Sequence, residues 1–321
     1  MNDQTSPIEL NAPDIEPYRK GNTGIEFVTT FDSGVPGPHV MICAVTHGNE
    51  ICGAITLDFL FKNNVRPTRG KLTFSFNNHM AYSRFDPNAP DDTRFIDEDF
   101  NRLWVEERLD GDEESVELHR AREIRPIFHE VDMMLDIHSM GANSAAVMLC
   151  HGHDKEIAFA REVDYPSYIV YGSGHVVGQR LIEYTPFSNP ADNKVALLVE
   201  AGRHWDAATG PASTDTALRF LRHANVIDQE FVEQNLSDIG KAPPPAEVWE
   251  VTTGIIAKTD DFKFESLARG PEIIAKAGTV IAHDGDKVIT TPYDNCLLLM
   301  PNDKAGAGMR KLRLCQRAKT N

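Results

Sequence analysis

The run His39-Val-Met-Ile-Cys-Ala-Val-Thr-His-Gly-Asn-Glu50 decides how this chain is read. From His39 to Val45 it is almost continuously apolar, and it then breaks at His47-Gly48-Asn49. A short segment apolar on both faces suits a parallel strand inside a helix-covered sheet, where each face is buried. Past the turn, Ile51, Ala54, Ile55, Phe59 and Lys62 recur at helical spacing, so a helix is expected from Glu50 to about Lys62.

The alternation continues outward. Lys71–Phe76, Val131–Ile137, Ala145–Cys150 and Lys194–Val199 read as further strands, and Glu113–His129 as a helix despite Pro126. Ser213 to about Glu233 reads as one long helix, with Ser213 or Thr214 as its cap. The acidic stretch Asp86–Asp99 carries two prolines and reads as a loop. Residues 1–38 read as an irregular lead-in, since Pro7, Pro13, Pro17, Pro36 and Pro38 block long helices. Strands alternating with helices imply an α/β class with a mixed, mostly parallel sheet flanked by helices.

Gly240-Lys-Ala-Pro-Pro-Pro-Ala246 interrupts that pattern as a stiff extended linker. Two domains are expected: 1–240, carrying the chemistry, and 247–321, a small C-terminal all-β domain. The second holds short β-like runs at 247–253, 272–274, 279–281, 287–290 and 296–300, separated by turn signals such as Asp284-Gly-Asp286.

Composition narrows the function. The 321 residues are 41% hydrophobic and 25% charged, ordinary for a globular chain, and the net charge is −16. That balance argues against nucleic acid, which needs a basic face. It leaves room for a small anionic substrate held by local arginines. No apolar run is long enough for a transmembrane helix, and the polar, proline-containing first twenty residues lack a secretory h-region. Five scattered cysteines without a CxxC pair fit a reduced cytoplasmic protein.

Four polar clusters fall at or beyond expected strand ends, where open α/β sheets place ligands. His47-Gly48-Asn49-Glu50 can aim an imidazole and a carboxylate at one ion, or be a surface turn with a capping acid. Asp136-Ile137-His138-Ser139 adds a second histidine, which alone could be structural. Together, His47, Glu50 and His138 form a His2Glu set, the ligand count that leaves a zinc position open for water. Arg94, Asn101 and Arg102 offer a planar fork for a carboxylate and a donor for a developing oxyanion, or ordinary partners for Asp91, Asp92, Asp97 and Asp99. Glu200 ends an apolar strand, where burial would raise its pKa and suit it to acid–base work, unless it caps a helix or sits in a salt bridge.

HGNE, TRFID followed by NR, DIHS and VEAG, in this order over roughly residues 39–235, resemble the succinylglutamate desuccinylase/aspartoacylase family of zinc carboxypeptidase-like hydrolases. The resemblance implies a zinc-exopeptidase-like fold holding one Zn2+ per chain. It also implies hydrolysis of the amide bond of an N-acyl amino acid or related small carboxylated amide. It makes His47, Glu50 and His138 the zinc ligands and Glu200 the catalytic acid/base. Arg94 would polarise the scissile carbonyl, and Asn101 and Arg102 would hold the substrate carboxylate.

A metallocarboxypeptidase acting on peptides is the enzymatic alternative. A non-catalytic, metal-dependent carboxylate-binding protein is the other. Tyr184 and Tyr293 are further pocket candidates, or half-buried structural tyrosines. The faintly biotinyl/lipoyl-like C-terminal segment lacks a Met-Lys-Met acceptor, so no attached cofactor is expected. A lid or assembly surface suits it better, and homo-oligomer formation is left open. His151-Gly152-His153 could open an amidohydrolase metal site, but that class needs a βα barrel the later β-rich segment contradicts. Cys150 beside His151 is poorly placed to form a catalytic pair on a strand, where neighbours face opposite ways. Gly172-Ser-Gly-His175 lacks a P-loop lysine and reads as a flexible loop.

Overall fold

The computed structural model describes residues 7–141, 143–172, 178–266, 269–302 and 306–318. Ser173–His175 of the glycine-rich loop lie outside them.

The strands are β1 (Val28–Asp32), β2 (His39–Ala44), β3 (Lys71–Phe76), β4 (Met133–Met140), β5 (Val147–Cys150), β6 (Tyr168–Tyr171) and β7 (Val195–Arg203). There follow β8 (Glu247–Ile256), β9 (Phe262–Phe264), β10 (Glu272–Ile274), β11 (Val280–Asp284), β12 (Lys287–Thr290), β13 (Cys296–Leu299) and β14 (Arg310–Arg317). Eleven form one open sheet in the order β1-β3-β2-β4-β7-β5-β6-β8-β14-β13-β10, and β12-β11-β9 form a small second sheet. The pairs β3–β2, β2–β4 and β4–β7 are parallel, as are β5–β6 and β6–β8. β5 runs antiparallel to β7, and the β8–β14–β13–β10 end is wholly antiparallel. The expected mixed α/β class with a C-terminal β region is therefore present.

β2 is buried at every position, as its continuous apolar run requires. On one face of the sheet, the helices Ile51–Lys62 and Thr209–His223 cover Ile42, Ala44, Ile137 and Val199. On the other, the Val116–Glu130 helix packs Leu118, Ile124 and Phe128 against Met41, Met134 and Trp104. Pro126 is exposed, so water can serve the carbonyl it leaves unpaired.

Four details depart from the sequence reading. The lead-in contains β1, paired antiparallel with β3 at the sheet edge. The expected helix from Ser213 to Glu233 is two helices, Thr209–His223 and Gln229–Asn235. Asn225 breaks it at φ 53, and Asp228 caps the second piece. Ser213 is no cap but a buried interior residue whose hydroxyl donates to the Gly210 carbonyl at 2.8 Å. Finally, the stretch at 240–246 leads directly into β8, which pairs with β6, so the main sheet itself runs across it.

Candidate active site

The sheet brings the four clusters to one end of β2, β4 and β7. After β2 the chain turns through Val45, at φ 51, into His47-Gly48-Asn49. A Cβ on Gly48 would lie 2.4 Å from both the Ala81 carbonyl carbon and the Thr93 oxygen, so only glycine fits. The Gly48 amide donates to the Arg94 carbonyl at 2.9 Å, which draws the Arg94 loop over the turn. Glu50 then leads into the following helix.

His138 leaves β4 directly opposite Glu200 on β7. In a parallel pair such residues project from the same face, on strands about 4.8 Å apart. His47 Nδ1 lies 2.8 Å from Glu50 Oε1, His138 Nδ1 lies 2.8 Å from Glu50 Oε2, and the two Nδ1 atoms face each other at 3.2 Å. All three side chains are at most 3% exposed, and one donor atom from each lies within 4.8 Å of the others.

Each histidine's other nitrogen is held by a carboxylate. His138 Nε2 meets Asp136 Oδ2 at 2.7 Å, and His47 Nε2 meets Asp99 Oδ1 at 2.9 Å. Such partners set the tautomer so that the opposite nitrogen offers its lone pair to a metal. Asp136 is fixed in turn by the Thr46 hydroxyl at 2.7 Å, and Thr46 accepts from Asn77 Nδ2 at 3.0 Å. Two imidazoles and a carboxylate, converging and oriented from behind, fit a divalent metal such as zinc.

The electrostatics follow from burial and proximity. Burial opposes ionisation of Glu50, but His47 and His138 outweigh it and hold the carboxyl well below its usual range. Burial likewise disfavours the His138 cation, while Asp136 and Glu50 raise it well above an ordinary imidazole. Glu200 goes the other way: burial, reinforced by the Glu50 carboxylate, pushes it up to about 8. Its Oε2 is shielded from solvent and has no hydrogen-bond partner among the described residues.

Arg94 stands over the cluster, one-third exposed, with NH1 3.1 Å from Glu50 Oε1 and NH2 3.3 Å from Asp99 Oδ2. Asn101 is buried, its Oδ1 accepting from the Leu181 amide at 2.8 Å. Arg102 donates to the Asn101 carbonyl at 2.6 Å. Burial, with Arg94 and Arg180 nearby, lowers the Arg102 pKa despite Asp99. Arg313 from β14 is pushed down to about 9 by burial, Arg310 and Arg180, while Glu200 pulls it up. The tyrosines stay apart: the Tyr184 hydroxyl meets His129 Nε2 at 3.0 Å, and the Tyr293 hydroxyl meets Thr252 at 2.6 Å.

Sequence reasoning gave Asp136 no role and Asp99 only that of an arginine partner, which it is for Arg94 as well as holding His47. Asp136 stands two before His138 on one strand face, a signal that was readable. Glu117 was out of reach. Fully buried, it accepts from the Ile96, Asp97 and Glu98 amides at 2.7, 3.0 and 3.3 Å, pinning the loop that carries Arg94 and Asp99.

The family model described as Succinylglutamate desuccinylase/Aspartoacylase catalytic domain matches residues 36–229. A succinylglutamate desuccinylase/aspartoacylase from Rhodobacter sphaeroides superposes with a TM-score of 0.67 at 17% identity, over 92% of this chain and 90% of that one. The product-bound ectoine utilization protein EutE (DoeB) from Ruegeria pomeroyi gives 0.64 at 15% identity, over 91% and 89%. A succinylglutamate desuccinylase from Vibrio parahaemolyticus gives 0.60 at 18% identity, over 92% and 87%. At these identities the structures speak for the fold alone. Curated proteins return no match. With the match covering well over half of its length, this chain belongs to the succinylglutamate desuccinylase/aspartoacylase family of hydrolases.

Proposed function

We propose that the protein is a zinc-dependent deacylase that hydrolyses the amide bond of an N-acyl amino acid or related small carboxylated amide. One observation carries the reading: three buried metal-type donors converge beside a carboxyl group, Glu200, that burial keeps protonatable near neutral pH.

His47, Glu50 and His138 would hold one Zn2+ per chain. When bound, such an ion supplies Lewis acidity and makes water a usable nucleophile at neutral pH. Glu200 takes the proton from the attacking water and returns it to the leaving nitrogen. Its unpartnered Oε2 and raised pKa suit both transfers. With both Nδ1 atoms serving as ligands, His47 Nε2 carries the proton and donates to Asp99. The Arg94 NH2, 2.9 Å from that same Nε2, would then face a donor and be free to turn toward substrate. There it stabilises the developing oxyanion, a role whose loss typically costs about 10²–10³ in rate.

Arg102 receives the substrate carboxylate. Asn101, whose oxygen accepts from the Leu181 amide, has its amide N–H groups to offer. Residues 1–240 carry the hydrolase, and 247–321 form a β region that contributes Arg313 near Glu200. Five buried thiols agree with a reducing, cytoplasmic setting.

Zinc content, measured together with amine release from a panel of N-acyl amino acids and peptides, tests this reading. Chelator-sensitive release from small N-acyl amino acids is expected. Release from peptides only would make the protein a carboxypeptidase. Glu200→Gln should keep zinc and substrate binding while abolishing turnover; undiminished turnover would overturn the role of Glu200. Absence of bound zinc after its addition would overturn the metal centre.

A further inference from the structure

A second group of donors lies outside this site and serves no step of the proposed reaction. β5 ends at Cys150 and the chain passes through His151-Gly152-His153 into the Asp154–Val163 helix, which carries Glu156. The Glu156 side chain is completely buried, and its Oε2 accepts from the Gly152 and His153 amides at 3.0 and 3.3 Å. Among the described residues its Oε1 has no hydrogen-bond partner, and neither has His151 Nδ1 or His153 Nδ1; all three atoms are shielded from solvent. His153 Nδ1 is 3.3 Å from Glu156 Oε1 without hydrogen-bond alignment, and the two imidazole rings are 4.5 Å apart between centroids. One donor atom from each residue lies within 4.8 Å of the other two.

Buried polar atoms are normally paired, because leaving them unpaired wastes their desolvation. Three polar atoms without hydrogen bonds in one small volume can be satisfied together by a cation among them. We propose that His151, His153 and Glu156 form a second metal site, taking a divalent transition ion of the zinc type. Two imidazoles and one carboxylate favour such an ion over magnesium or calcium, which seek all-oxygen shells. Both histidines are partly exposed, so the site lies close to the protein surface.

The sheet separates this site from the first. β5 is antiparallel to β7, with Val147 level with Glu200 and Leu149 level with Leu198. Going on to His151 therefore leads away from the catalytic end by four residues, about 13 Å of strand. Co-catalytic metal pairs sit only about 3.5–4 Å apart. The second ion is thus a peripheral one, fastening the end of β5 to the start of its helix. The inference stands independently of the proposed deacylase reaction.

The test is metal stoichiometry of the full chain after chelator stripping, reloading with zinc alone and desalting. Wild-type protein should retain two equivalents. His153→Ala and Glu156→Gln should each retain one, with amide hydrolysis unchanged; the glutamine still accepts the Gly152 and His153 amides, so the fold is preserved. His47→Ala should lose the other equivalent and keep this one. A wild-type protein retaining a single equivalent, lost in His47→Ala, would overturn the second site and leave the first standing. Two equivalents that persist in both His153→Ala and Glu156→Gln would overturn it as well.

Discussion

Replacing Asp136 with asparagine isolates what the charge behind His138 contributes. Asp136 is fully buried, 2.7 Å from His138 Nε2 on one oxygen and 2.7 Å from the Thr46 hydroxyl on the other. An asparagine has the same shape and can still present its oxygen to His138, so the quantity removed is charge rather than packing. A hydrogen bond to an ionised acceptor contributes about 1.5–3 kcal/mol, and a neutral one about 1 kcal/mol. The difference, about 0.5–2 kcal/mol, weakens zinc binding by about 2- to 30-fold at 1.4 kcal/mol per tenfold. That range overlaps the roughly 10- to 100-fold typical of residues that orient metal ligands. Competition against a chelator of known affinity, at fixed pH, measures it, with a thermal melt to show that the fold is intact. A folded Asp136→Asn protein that binds zinc as tightly as wild type would refute the argument that Asp136 tunes His138.

Three further outcomes follow from the geometry. Glu117→Ala strips the acceptor from three backbone amides at once; a loss on the order of 3 kcal/mol is expected in denaturant unfolding, with a lower kcat as the Arg94 loop loosens. Unchanged kcat would separate that loop from catalysis. Gly48→Ala forces a Cβ against the Ala81 and Thr93 backbone, so thermal stability should fall by about 1–3 kcal/mol and zinc retention should drop. A variant with wild-type melting and zinc content would show that the turn is looser than its contacts imply. His79 is pushed down to about 3 by burial, then by Arg120 and Arg19. The unfolded chain binds this proton first, so stability is lost as pH falls from about 6.5 toward 3, and His79→Phe should flatten that decline. Parallel stability–pH curves for the two proteins would count against it.

The site was legible where its logic is local. His47 and Glu50 sit three apart across one turn, and Asp136 and His138 share a strand face because side chains alternate with period two. Glu200 was visible as a lone acid closing an apolar strand. The Asp99 partnership with His47 spans 52 residues and the Arg94 contact with Glu50 spans 44, distances at which no spacing rule operates. The same holds for Glu117, an acid inside the expected 113–129 helix that in three dimensions is the clamp on a loop about twenty residues upstream.

The character of β2 and of the helix that follows was settled within their own residues, because continuous apolarity and 3.6-residue spacing are short-range requirements; the glycine between them answers to the Ala81 and Thr93 backbone, which only the fold brings there. Tertiary structure alone decided that β1 exists, since Val28–Asp32 becomes a strand only by pairing with β3. It decided where the 209–223 helix begins, because burial of Thr209, Gly210 and Ser213 outweighs local capping preference. It also decided that β8 extends the main sheet past the prolines. Those outcomes depend on surface buried between segments far apart in the chain. That energy appears only once both segments are in place, so it leaves little trace in the residues of either one.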